Sequence, residues 1–175
     1  INRIYSYLRS LGFSIGKEKV IEMLNRARET YFAFTVEIFQ KSERKRKTNP
    51  KKLYIIDTGY TTALGYEFSI SRAMENAVYL ELLRRGESEV YYWKEYGKSV
   101  GAEVDFIISK NFEAEELIQV TYAENEIKER ELRALKKAQR ELKPKKVRVL
   151  TWNYSGKIDG VELIPLWYWL LTYPN

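Results

Sequence analysis

The sequence contains no cysteine and no histidine among its 175 residues. These two absences exclude disulfide bonds, zinc sites built from cysteine and histidine, thiol nucleophiles and every catalytic triad that relies on imidazole. Any catalysis must therefore come from carboxylates, lysine, tyrosine or hydroxyl groups. Proline and glycine are also scarce, with four and nine residues, so neither a collagen-like repeat nor a disordered chain fits the composition.

Long apolar runs are missing as well. No stretch approaches the roughly 18 apolar residues of a membrane-spanning helix, so we expect no membrane partner. The chain begins at Ile1 without the regions of a signal peptide, which indicates a fragment of a cytoplasmic protein. Its length suits one domain or two small ones, and association into oligomers is compatible with the composition.

Positive charge is concentrated in one short segment, which we call the basic run (residues 41–52). It holds seven basic side chains against one acidic one, and this accounts for the whole formal net charge of +6. A local excess of this kind is typical of segments that bind phosphate, although a solvated loop has the same composition. The basic side chains are Lys41, Arg44, Lys45, Arg46, Lys47, Lys51 and Lys52.

Two helices and a hairpin are predicted in the first third of the chain. Residues 1–11 carry one apolar stripe at helical spacing, and residues 17–30 carry a second. Residues 31–39 and the segment KLYII (residues 52–56) are rich in β-formers and predict two strands joined by the basic run as a long loop.

Two helices followed by a hairpin with a basic loop is the plan of a winged helix. The second helix would then be the recognition helix, with Lys17 and Lys19 facing DNA, and the basic run would be the wing. We therefore expect a DNA-binding winged-helix domain at residues 1–60. The same basic side chains also suit a merely soluble surface, and this interpretation stays open.

The second part, residues 61–175, has the pattern of an α/β domain. A helix is followed by three strands, a charged amphipathic helix, a further strand and a short terminal helix, which predicts an αβββαβ core with a mixed sheet. The predicted elements span residues 70–85, 89–93, 102–109, 115–122, 126–142, 146–152 and 166–171.

Three segments of the chain resemble known families. The segments GAEVDFII and ELIQVTY on the second and third strands resemble the PD-(D/E)XK nuclease core, a restriction-endonuclease-like fold. The segment PKKLYIIDTGYTTAL looks like the junction between a winged helix and a nuclease-like domain in prokaryotic AAA+ type ATPases. The resemblance implies that an upstream P-loop ATPase domain of the same protein is a partner, and that DNA is the ligand.

The resemblance also implies a degenerate nuclease site. The acidic residue of the first helix matches Glu75, with Glu81 as a weaker match, and the strand carboxylate matches Asp105. Glu75 and Asp105 would be the ligands of Mg²⁺ or Mn²⁺. Where the family has Glu-x-Lys on the third strand, this chain has Gln119 and Thr121, so a carboxylate and an ammonium are missing.

Neighbouring side chains offer replacements for the missing groups. Glu103 and Glu115 are in phase with Asp105 and Gln119 by strand alternation, and Lys94 or Lys98 would supply the ammonium. Without such a replacement, a buried Asp105 is equally well explained by a structural ion pair with Lys94.

The hypothesis that these patterns favour is the C-terminal DNA-binding region of a prokaryotic ATPase, with a degenerate nuclease-like domain and no catalytic activity. One alternative is an active Mg²⁺- or Mn²⁺-dependent DNA endonuclease. Another is a protein-interaction domain of the ATPase that does not bind DNA. The sequence contains no GxxxxGK[ST] motif, so these residues cannot hydrolyse ATP alone.

Overall fold

A computed structural model describes residues 1–95 and 101–172 of the chain. Its strands are β1 (Ala33–Ile38), β2 (Lys52–Ile55), β3 (Val90–Lys94), β4 (Glu103–Lys110), β5 (Glu113–Thr121), β6 (Lys146–Thr151), β7 (Gly156–Ile158) and β8 (Val161–Pro165). They form one eight-stranded mixed sheet in the order β2-β1-β3-β4-β5-β6-β8-β7.

Helices precede, connect and follow these strands along the chain. They are α1 (Asn2–Ser10), α2 (Lys17–Glu29), α3 (Glu43–Thr48), α4 (Gly59–Ala63), α5 (Ile70–Arg84), α6 (Glu129–Leu142) and α7 (Leu166–Leu171). In the part of the chain that the structure describes, none of these helices combines the length and the apolar character that a membrane span requires.

The centre of the sheet confirms the predicted α/β class and element order. Elements α5, β3, β4, β5, α6 and β6 follow one another along the chain. Strands β3, β4 and β5 form an antiparallel meander, whereas β5 and β6 are parallel. Helix α6 supplies the crossover that a parallel pair requires. The short hairpin of β7 and β8, which adds the last strands beyond β6, was not predicted.

Apolar side chains fill both faces of the sheet. One core cluster joins Val78 and Leu82 of α5 to Phe106, Ile118 and other side chains of the sheet. The second cluster joins Leu135 and Ala138 of α6 to the opposite face of the same strands. The alternation of side chains along each strand therefore divides the core into two layers, with α5 and α6 on opposite sides.

Strand β4 contains an irregularity at the centre of the sheet. Tyr91 of β3 pairs with Ile107, but Trp93 pairs with Val104, so two residues of β4 face one residue of β3. This is a β-bulge, and it lies at Asp105 and Phe106. A bulge redirects the side chains beside it, and here it breaks the alternation at the strand that carries the predicted carboxylate.

The predicted hairpin is present, but it belongs to the main sheet. Strands β1 and β2 pair antiparallel, and the end of β1 pairs in parallel with β3 through Glu37 and Ile38. The division into domains at residues 1–60 and 61–175 stays a prediction. The pairing of β1 with β3 joins strands from both of these segments in one sheet. Helix α2 packs on β1 and contacts α1.

The basic run is not the extended loop that we expected. Its middle folds into α3, which begins after Ser42, whose hydroxyl accepts a hydrogen bond from the Lys45 backbone N–H at 3.4 Å. Serine is a preferred N-cap residue, and Glu43 in the first turn and basic residues in the last turn suit the helix dipole. The loop was expected because these residues lack an apolar stripe.

We predict that Asn76→Ala lowers the free energy of unfolding by about 2–4 kcal/mol, because two partly buried backbone groups lose their partner. The Asn76 amide accepts from the Ile55 N–H at 3.0 Å and donates to the Ile55 carbonyl at 2.8 Å, which fastens edge strand β2 to α5. Urea denaturation measures the change. Asn125→Ala, at an exposed position, is the control, and equal effects in both variants would contradict the prediction.

Candidate functional site

The ammonium of Lys52 lies among three carboxylates. Its Nζ is 2.9 Å from Glu75 Oε1, 2.9 Å from Glu103 Oε1 and 2.8 Å from Asp105 Oδ1. An ammonium has three N–H groups, so each carboxylate can receive one. We call these four side chains the Lys52 cluster. Its formal charge is −2, because three negative charges surround one positive charge.

Three elements that are distant in sequence bring the cluster together. Lys52 begins β2, Glu75 lies in the second turn of α5, and Glu103 and Asp105 lie on β4. Strand alternation places Lys52 and Tyr54 on the same face of β2. The Tyr54 hydroxyl donates to Glu75 Oε1 at 2.7 Å. The Tyr54 ring stacks on Tyr79 of α5 with centroids 4.5 Å apart, which fixes the helix against the strand.

The second oxygen of Asp105 is bound by β5. Asp105 Oδ2 accepts from Gln119 Nε2 at 2.7 Å and from the Val120 N–H at 3.0 Å. Both Asp105 and Gln119 are 8% exposed. The other amide atom, Gln119 Oε1, is buried and has no hydrogen-bond partner within the described residues. Gln119 therefore acts here as a donor to Asp105, whereas a carboxylate at this position could only accept.

Burial and the shared ammonium set the protonation of the cluster. Burial raises the pKa of Asp105 from 3.8 to about 6, and Lys52 only partly offsets this effect. Burial alone would lower the pKa of Lys52, but Asp105, Glu75 and Glu103 outweigh it and hold this pKa above its ordinary value. Burial, followed by the charge of Glu75, raises the pKa of the Tyr54 hydroxyl. Lys52 thus stays charged, and the raised pKa means that Asp105 takes up a proton more readily than an exposed aspartate does.

The structure brings some of the predicted site residues together and separates others. Glu75, Asp105 and Gln119 meet through Lys52 and one hydrogen bond, and Glu103 joins them. Thr121 is buried at the end of β5, where it pairs with Thr151 of β6.

The remaining candidates are bound elsewhere, lie beside the cluster or cannot be placed. Glu81 binds Arg84 and Arg85 on its own helix, and Glu115 binds Lys145. Lys94 is paired with Glu103 across β3 and β4, and Lys98 lies outside the described residues.

The arrangement does not fit the Mg²⁺ or Mn²⁺ that the resemblance implies. A hard divalent cation needs several free oxygen ligands, but one oxygen of Glu75, Glu103 and Asp105 each binds the Lys52 ammonium. Within residues 1–95 and 101–172, no group of three or more acidic side chains has an arrangement that could hold a metal ion.

Lys52 must be removed from the predicted DNA contacts. We expected it in the wing, but its side chain is 17% exposed and its ammonium is bound by the cluster. Strand alternation was the signal that could have placed it, because Lys52 shares a face with the buried Tyr54. Counting it with its sequence neighbours concealed this difference.

The other basic side chains of the run differ in their surroundings. Arg46 is nearly buried: it donates to the carbonyl of Gln40 at 2.7 Å and lies 4.6 Å from the centroid of the Phe112 ring. Lys51 binds Glu37 at 2.6 Å, and Lys47 binds Glu43 at 2.6 Å. Lys41, Arg44, Lys45 and Lys47 are exposed.

The two lysines predicted on the recognition helix lie in the first turn of α2. Lys19 binds Glu22 at 2.9 Å, and the Lys17 ammonium lies 5.5 Å from the centroid of the Tyr5 ring of α1. Both side chains are exposed, so the prediction that they contact DNA stays open.

The chain is similar to a known domain family and to a longer archaeal protein. The model of a domain of unknown function, DUF4143, matches residues 71–169. An uncharacterized protein of Methanocaldococcus jannaschii is 35% identical over an alignment that includes 99% of this chain. The chain spans 41% of the length of that protein. No solved structure has a significant match to the chain.

We predict that Asp105 makes the free energy of unfolding fall as the pH rises from about 4 to about 6. Its folded pKa is raised, so the folded state binds the proton more tightly than the unfolded state and loses stability as the pH rises through this range. The loss amounts to at most about 3 kcal/mol. Asp105→Asn should remove this slope in urea denaturation, whereas the exposed control Asp159→Asn should keep it. Parallel pH profiles for the wild type and Asp105→Asn would refute the assignment.

Proposed function

Because the chain belongs to the DUF4143 domain family, we propose that it is a non-catalytic, DNA-binding C-terminal region of a prokaryotic ATPase. In this proposal, its sheet is a degenerate nuclease-like domain, and the ATPase activity resides in another part of the protein. The segments GAEVDFII and PKKLYIIDTG support the assignment by resemblance. The activity and the partners of the whole protein are part of the proposal, since the relative is much longer than this chain.

The observation that carries the proposal is the position of the Lys52 ammonium. Metal-dependent cleavage of a phosphodiester requires a cation that lowers the pKa of a bound water and polarises the phosphate. An ammonium held by three carboxylates does neither, because it has no open coordination position and carries only one charge. Lys52 therefore supports a structural role for the residues that match the nuclease site.

The basic run retains an exposed positive surface even after its ion pairs are counted. Six of its basic side chains remain when Lys52 is set aside, and their acidic neighbours are Glu37 and Glu43. The excess of positive charge is therefore four. Helix α3 is short and rigid compared with a loop, so it would present these charges to DNA phosphates as one surface, largely without regard to base sequence.

We predict that Lys41, Arg44, Lys45 and Lys47 together contact duplex DNA. Replacing all four with Gln should lower affinity and reduce the slope of log K against log salt concentration by about 0.9 for each phosphate that these side chains neutralise. Arg46 is left intact because it is bound to backbone carbonyls. A mobility-shift titration at several salt concentrations measures both quantities.

The matched control replaces four exposed basic residues on the α6 side with Gln, namely Lys128, Arg130, Arg133 and Arg140. It makes the same change in net charge. A greater loss of affinity in the α3 variant than in this control therefore locates the DNA contact on α3. Equal salt slopes for the wild type and the α3 variant would rule out this contact. Failure of the wild type to bind any nucleic acid at low salt would favour the alternative of a protein-interaction domain.

A specific group of exposed side chains supports that alternative. Phe32 packs edge-on against Tyr60 of α4 with centroids 5.2 Å apart, and Tyr7 of α1 and Tyr66 are further aromatic side chains in this part of the chain. All four side chains are exposed. Aromatic residues are enriched at protein interfaces, so this surface would suit the remaining part of a longer polypeptide.

We predict that Lys52→Ala lowers the free energy of unfolding by about 3–5 kcal/mol, because three carboxylates lose their counter-ion. Millimolar Mn²⁺ should recover part of this loss in the variant and leave the melting temperature of the wild type unchanged. Lys51→Ala is the matched control, since its partner Glu37 is at the surface and such a pair is worth about 0–1 kcal/mol.

The wild type also tests the nuclease alternative directly, whether or not the variant folds. Incubation with linear and branched DNA in Mn²⁺ should leave both substrates intact. Nicks that appear with the wild type and vanish in Asp105→Ala would show that the domain is an active endonuclease.

A further inference from the structure

A cavity of about 470 Å³ opens between the last turns of α2, the beginning of β1 and the middle of α5. It is separate from the Lys52 cluster, and none of the sequence motifs pointed to it. Its volume is in the range of small-ligand sites in proteins. Its walls combine aromatic rings with polar side chains, and these two classes of side chain suggest the kind of ligand.

The aromatic part consists of three rings in sequence. The Tyr31 and Phe34 centroids are 6.5 Å apart, and those of Phe34 and Tyr79 are 5.7 Å apart. Tyr31 is 72% exposed, so the face of its ring is available at the rim of the cavity. Its backbone has a φ of 57°, a conformation that is strained for a bulky residue and that the surrounding structure must hold in place.

The polar part includes three side chains, those of Asn25, Arg28 and Tyr79. Among the described residues, Arg28 makes no ion pair, whereas Arg26 of the same helix binds Glu22 at 2.6 Å. The Asn25 amide and the hydroxyl of the buried Tyr79 likewise make no hydrogen bond within the described parts of the chain. Three polar residues that make no ion pair or hydrogen bond through their side chains within residues 1–95 and 101–172 thus line one cavity.

We propose that this cavity binds one nucleotide, either free or as an unpaired unit of a single strand. The base packs against Tyr31 and Phe34, since every base offers a π-face to an aromatic ring. Arg28 binds the phosphate through its forked N–H groups, and Asn25 bonds to the edge of the base. The lining also contains Glu29, which accepts from a sugar hydroxyl and disfavours more than one phosphate.

This inference goes beyond the duplex contact proposed for α3 and does not require it. In this proposal the cavity takes up one base, whereas the basic side chains of α3 contact phosphates on the outside of a DNA duplex. A base inside a duplex is stacked on both sides and cannot enter, so only a free or unpaired nucleotide fits.

The test is a titration of the chain with AMP and, separately, with a fluorescein-labelled ten-nucleotide oligo(dA), by calorimetry and anisotropy. We expect Arg28→Gln to weaken binding at least tenfold and the matched control Arg26→Gln to change it less than twofold. Tyr31→Asn should weaken binding about five- to a hundredfold, the range for loss of one stacking ring, because Asn tolerates the left-handed backbone without the ring. Melting temperatures confirm that each variant is folded.

The outcomes separate the two sources of the nucleotide. One-to-one binding of AMP identifies a free nucleotide, and binding of oligo(dA) without AMP identifies an unpaired strand. No binding of either probe at millimolar concentration would overturn the proposal, and so would equal losses of affinity in Arg28→Gln and Arg26→Gln. The α3 variant should keep its affinity for AMP, which lacks a phosphate chain, while Arg28→Gln keeps the salt slope on duplex DNA, so failure of one proposal is distinct from failure of the other.

Discussion

The attraction between one ammonium and three carboxylates connects parts of this protein that lie 23 to 53 residues apart in sequence. Lys52 lies on the hairpin, whereas its partners lie on α5 and β4. Charges are costly to bury unless they are paired and hydrogen-bonded. The placement of the hairpin at the edge of the sheet, the position of α5 and the bulge in β4 all serve the pairing of these charges.

The same interaction accounts for the burial of these carboxylates in the nuclease-like domain that we propose. Gln119 and Thr121 stand where the resemblance to nucleases implies a carboxylate and a lysine, and Lys52 brings a positive charge from another strand. Asp105 keeps its place because β5 still donates two hydrogen bonds to it. A site of this kind retains its shape through ionic and hydrogen-bond partners supplied by the protein alone.

Periodicity was sufficient to predict the central elements, because α5, α6 and the meander have clear apolar patterns and long spans. The resemblance predicted that Glu75, Asp105 and Gln119 would lie near one another, which periodicity could not do. Two features escaped prediction for physical reasons. Helix α3 is stabilised by its cap and charges and has no apolar stripe, and the partners of Lys52 are more than 20 residues away along the chain. The cavity beside Arg28 requires three elements to meet, so no local pattern indicates it.

The position of Lys52 has a consequence for the smallest part of this protein that can fold. A polypeptide starting after residue 60 would contain Glu75, Glu103 and Asp105 but not their counter-ion, and its sheet would expose the edge of β3. The hairpin thus supplies the α/β core with the counter-ion of its buried carboxylates. The sequence patterns assign this hairpin to a different domain. Any motion that lifts the hairpin off the sheet also uncovers a concentrated negative charge.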